Sequence, residues 1–129
     1  MIIVTLMALG CSSGDDAERT TMLSPAEQVH PDVIEAEVTA AGDRFSVAAT
    51  ISSPYDSEER YADAFRVLSP DDEELGVREL THHHADEQPF TRSLSGLEIP
   101  DGVASVTVQA RDLVNGWGGE TVTVAVPGR

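Results

Sequence analysis

The chain has one cysteine, no lysine, six aromatic residues and no apolar run longer than eight residues. Each shortage excludes something. A lone cysteine, Cys11, permits no internal disulfide, so packing and hydrogen bonds alone must hold any fold. The absence of lysine leaves eight arginines against 23 acidic residues, a formal net charge of −15. A field of that sign repels phosphate backbones, so nucleic acid is not an expected partner. It suits a salty habitat, where screening weakens self-repulsion; plain solubility is the simpler reading. The longest apolar run, residues 2–9, falls well short of the roughly 20 residues that span a bilayer. Catalytic signatures are missing too. There is no Gly-x-Ser-x-Gly turn, no His-Glu-x-x-His and no phosphate-cradling glycine loop, and the expectation is a protein that is not an enzyme.

What is present is alternation. Val106, Val108 and Ala110 fall on one side of residues 103–112, with Thr107, Gln109 and Arg111 on the other. Val122, Val124 and Val126 repeat the pattern in residues 121–126. Period-2 patterning marks half-buried antiparallel strands, and one such ribbon needs a second layer to cover its apolar face. Upstream, Ile34, Ala36 and Val38 form an inward set on a first strand, and Phe45, Val47, Ala49 and Ile51 form one on a second. Residues 61–68 form a third strand with Phe65 in the core, 75–83 a fourth and 90–94 a short fifth. Seven short strands separated by turn signals predict an all-β antiparallel sandwich. The expected organisation is a signal peptide over residues 1–10, a flexible tether over 11–30 and the sandwich domain over 31–129.

The apolar run ends in Ala8-Leu9-Gly10-Cys11, which resembles the lipobox of bacterial lipoproteins. That resemblance implies an acylated Cys11, export, and a membrane anchor in the cell envelope, with Ser12 onward as a solvated tether. An ordinary signal peptide with an incidental cysteine, or a buried N-terminal strand, is the alternative. The segment from Ser93-Leu94-Ser95-Gly96-Leu97 to Thr121-Val122-Thr123-Val124 resembles the last three strands of bacterial immunoglobulin-like and fibronectin type III-like domains. It implies an immunoglobulin-like sandwich and says little about function. The corner tyrosine common in such domains has no counterpart near Val103–Val106. Finally, HHHADEQPFTRSL at 82–94 together with Asn115-Gly116-Trp117-Gly118-Gly119 resembles a group of small exported bacterial proteins of unknown function. Asn115 stands where some of those chains carry histidine.

Two places carry candidate chemistry. On an extended strand His82 and His84 point to one side, with Cα atoms about 6.6–6.8 Å apart. Two imidazoles so placed suit copper or zinc, with Asp86 or Glu87 adding an oxygen; His83 faces away. The bland alternative is a polar strand end. In the glycine-rich loop 113–120, Asn115 and Trp117 are candidate partner-binding residues, the indole serving as anchor for an envelope protein or a glycan. Equally, Trp117 folds back to cap the sandwich. Arg92 and Arg111 are expected to pair with Glu87, Asp63 or Asp112, and the acidic runs 56–59 and 71–74 to be solvated turns.

Overall fold

A computed structural model describes residues 28–129. The expected signal peptide, Cys11 and most of the tether lie outside the described residues. Seven strands follow in order: β1 (Asp32–Ala41), β2 (Arg44–Ser52), β3 (Ala62–Leu68), β4 (Glu74–Glu79), β5 (Phe90–Leu97), β6 (Ser105–Asp112) and β7 (Gly116–Ala125). They form two antiparallel sheets, ordered β1-β2-β5 and β4-β3-β6-β7. The all-β sandwich expected from the alternation is the fold observed.

The core lies between the sheets and is built mainly from small branched side chains. Val47, Ala49 and Ile51 from β2 meet Phe65, Val67, Val106, Val108 and Ala110 from β3 and β6, all fully buried or nearly so. Phe65 is the largest of these, and burying a side chain of its size contributes about 1.5–3 kcal/mol. With no disulfide to help, such anchors supply much of the roughly 5–10 kcal/mol expected for a domain of this length.

Where register shifts, the expected facing changes. In β1 the pairing runs Val33↔Ile51 and then Glu35↔Thr50, so Ile34 is a bulge residue without a partner. An inserted residue reverses the side on which its neighbours fall. Val33 therefore faces the core at 1% exposure while Ile34, expected inside, is 46% exposed; Ala36 and Val38 keep their inward places. A second shift, between Ala62 and Ala64, turns Ala62 inward and leaves Asp63 outside beside Arg111.

Several strand limits also differ from expectation: β5 runs to Leu97 rather than residue 94, and β6 starts at Ser105 rather than residue 103. β4 stops at Glu79, not His83: Leu80 still packs in the core, and its amide donates to the Asp63 carbonyl at 2.8 Å. β7 begins at Gly116, five residues before the expected start, and leaves only residues 113–115 as the β6–β7 turn.

Candidate functional site

Strand pairing puts the β2–β3, β4–β5 and β6–β7 connections at one end of the sandwich, together with the point where the described chain enters. Two buried carboxylates hold that end together. Asp112 continues the inward series Val106, Val108, Ala110, so a charge falls on a core position, and its side chain is fully buried. The structure satisfies it four times. The Tyr55 hydroxyl donates to Oδ1 at 2.6 Å and Arg60 Nε to the same oxygen at 3.1 Å; the Val114 and Asn115 amides donate to Oδ2 at 2.9 and 2.8 Å. Desolvation pushes this carboxyl upward, but those donors and the Arg60 charge outweigh it and hold it below the usual carboxylate range. Tyr55 is displaced the other way, raised first by burial and then by its bond to Asp112. Its ring carries the Arg60 guanidinium 3.9 Å from the centroid.

Asp56 is the second. Expected in a solvated turn, it is 6% exposed. Its two oxygens accept the Ala62 amide at 3.1 Å and the His84 amide at 3.0 Å, which ties the β4–β5 loop to the start of β3. Desolvation raises its pKa, partly opposed by the His84, Ser53 and Ala62 hydrogen bonds.

The entering chain is fastened here before Pro31, where the tether was expected to end. Gln28 is 6% exposed and donates to the Ser52 and His30 carbonyls, while its own carbonyl accepts Arg60 Nη2 at 2.8 Å. Asn115 is part of this fastening: Nδ2 donates to the Val29 carbonyl at 3.1 Å, and its carbonyl pairs with His30 Nε2 at 3.3 Å. The glycines around Trp117 follow from the same crossing. A Cβ on Gly118 would lie 2.5 Å from the His30 ring, and one on Gly119 would overlap the Pro31 carbonyl oxygen. Gly119 also sits at φ +81°, a conformation that side chains disfavour.

Trp117 is not on a loop tip. It pairs with Arg111 on the outer face of the four-stranded sheet, half-buried, with the Arg66 and Arg111 guanidinium carbons 4.1 and 5.1 Å from its ring centroid. Arg111 pairs with Asp63 at 2.8 Å and Glu79 at 3.1 Å, and these bonds raise its pKa, Asp63 foremost. The expected pairing of Arg111 with Asp63 holds, as does that of Arg92 with Glu87 at 2.6 Å; Asp112 takes Arg60 instead. The indole is thus engaged with the outer face of its own sheet.

The histidine run lies in the β4–β5 loop rather than on a strand. His82 is exposed, His83 half-buried and His84 4% exposed. His84 stacks on Phe90, with centroids 3.9 Å apart and planes 15° from parallel. Its Nδ1 lies 3.1 Å from Glu87 Oε1, an oxygen that also accepts Arg92 Nη2, and Nε2 is buried without a partner. Burial first, then the nearby Arg92 and His82 charges, favours the neutral ring, with the Glu87 contact opposing. The His82 ring centroid is 5.0 Å from that of His84. Among the described residues, no group of three or more His, Cys, Asp or Glu side chains is placed to share an ion.

Sequence reasoning passed over Tyr55, Arg60 and Gln28, assigned Asp112 to a surface arginine pair and placed Asp56 in a solvated turn. One signal was available: Asp112 sits in phase with the inward valines, and a carboxylate there demands donors.

Comparison with known proteins adds one relative. No protein-family model matches the chain. No solved structure matches it either. The chain is 34% identical over 125 residues to a protein of Halomicrobium mukohataei named "Putative lipoprotein", in an alignment covering 93% of this chain. It spans 60% of that protein's length.

Proposed function

We propose that this chain is a lipid-anchored, extracytoplasmic immunoglobulin-like domain that binds or scaffolds another component of the cell envelope and is not an enzyme. The observation that carries the reading is the similarity to a relative named for lipidation, joined to a cysteine placed directly after an apolar run. The three-plus-four strand order is compatible with the immunoglobulin-like class. Acyl chains on Cys11 supply a membrane affinity that a surface of net charge −15 does not.

The entry point of the chain bears on where binding takes place. The anchored segment leads into the end bearing the β6–β7 turn, where Val29, Leu113 and Val114 are 48%, 44% and 66% exposed. Loops on a rigid sandwich commonly carry recognition, and exposed apolar side chains at the end where the described chain enters suit contact with a partner. This end, not the Trp117 ring, is the binding surface in our reading.

The test is fractionation. Cys11→Ala should move the protein from the membrane to the soluble fraction, and mass spectrometry of the wild-type chain should find a diacylglyceryl group on Cys11. A Cys11→Ala protein that stays with the membrane would remove the anchor. Leu113→Ser/Val114→Ser should keep the melting temperature and lose in-situ cross-links to envelope components; unchanged cross-links would remove this surface.

A further inference from the structure

The geometry points to a two-histidine copper site in the β4–β5 loop, with His82 and His84 as ligands through Nε2 and Glu87 as the group that orients His84. This differs from the arrangement the sequence suggests, in which an extended strand aligns the rings and Glu87 or Asp86 is a ligand. It does not depend on lipidation.

Three observations support it. Histidines that bind metals through one ring nitrogen generally donate the other to a carboxylate or a backbone carbonyl, which sets tautomer and orientation. Both rings meet that condition. His84 Nδ1 is 3.1 Å from Glu87 Oε1, nearer than the Arg92 Nη2 donor at 3.3 Å, and His82 Nδ1 is 3.1 Å from the His83 carbonyl oxygen. A carbonyl can only accept, so His82 carries its proton on Nδ1 and has its lone pair on Nε2. Glu87 is itself held in place by Arg92, whose Nη2 donates to the same Oε1 at 2.6 Å.

Second, His84 Nε2 is a buried polar atom with no partner, on a side chain only 2% exposed. Leaving such an atom unpaired is costly, and a metal ion would satisfy it. Third, the His82 ring lies 5.0 Å away by centroid, tilted 47°, and both residues border a concavity of about 270 Å³ that is open to solvent. His84 is fixed by its stacking on Phe90, whereas His82 is exposed and held by its bond to the His83 carbonyl alone, so the ligand that moves is the outer one.

A pair of imidazoles leaves the remaining positions to water. Among first-row divalent ions such a donor set ranks Cu²⁺ highest, and imidazole also suits Cu(I) and Zn²⁺. His83 takes no part: its Nδ1 accepts the Ala85 amide at 3.2 Å.

The test is titration of the full chain with Cu²⁺, followed by calorimetry and electron paramagnetic resonance. One equivalent should bind with hyperfine structure from two nitrogens. His82→Ala, on an exposed side chain, should weaken binding at least tenfold without lowering the apo melting temperature. Glu87→Gln should weaken it about 10–100-fold, the range usual for an orienting partner. His83→Ala and His30→Ala should bind as the wild type does. Cu²⁺ should raise the melting temperature of the wild type and not of His82→Ala. Binding that survives His82→Ala, or that is lost in His83→Ala or His30→Ala, would overturn the site. Binding unchanged in Glu87→Gln would overturn the orienting role.

Discussion

Replacing Asp112 tests the idea that a buried charge organises the loop end of the sandwich. Asp112→Ala removes an acceptor used by Tyr55, Arg60 and two backbone amides, and leaves the Arg60 guanidinium without its carboxylate. Breaking a buried ion pair from one side costs about 3–5 kcal/mol, because the remaining partner stays desolvated. At about 4–8 °C per kcal/mol for a domain near 100 residues, the melting temperature should fall by about 12–40 °C. The assay is thermal unfolding followed by circular dichroism. Asp112→Asn, close in shape but uncharged, separates charge from packing through its pH dependence. The folded carboxyl lies below its usual range, so its stabilisation is complete above the unfolded pKa of about 3.9 and is lost as pH falls through the folded value. The gap in melting temperature between wild type and Asp112→Asn should therefore narrow from about pH 4 downward. Asp56 acts in the opposite sense: its raised pKa means that stability declines as pH climbs from the unfolded value through the folded one. Both proteins contain Asp56, so the difference between them cancels it. A fall of less than about 4 °C for Asp112→Ala at pH 7, or a gap that widens in acid, would refute the reasoning.

Gly119→Ala should destabilise by at least about 1 kcal/mol from its positive φ alone, and further through the Pro31 carbonyl; hydrogen exchange should show faster opening of residues 28–33 than of the β2–β3 core. Trp117→Ala should lower the melting temperature by several degrees, since about 0.5–1 kcal/mol per guanidinium–ring contact is lost along with the ring's own burial; an unchanged melt would free the indole for a partner. Ile34→Thr should change stability by less than about 0.5 kcal/mol, whereas Val33→Thr should cost well over 1 kcal/mol, and equal effects would contradict the bulge.

Much of the architecture was legible because a half-buried strand must alternate. The inward sets on β2, β6 and β7, and Phe65 on β3, follow directly from that period. Ile34 shows where it stops: a bulge is an extra residue without a partner, and no local pattern separates it from the residues beside it. The histidine loop shows another limit. The chain beyond Leu80 has residues compatible with a strand, yet the Asp56 carboxylate, 28 positions earlier in sequence, captures the His84 amide and draws the segment away from the sheet.

Residue order alone thus determined the fold class, the two-layer core and the acidic, disulfide-free character, all consequences of composition and of a period felt over a few neighbours. Tertiary structure alone decided which glycines must stay glycine, which acids go inside and which nitrogen of His84 is left without a partner. Those outcomes depend on groups far apart in sequence meeting at one end of the sandwich, where burial makes every unpaired charge or donor expensive.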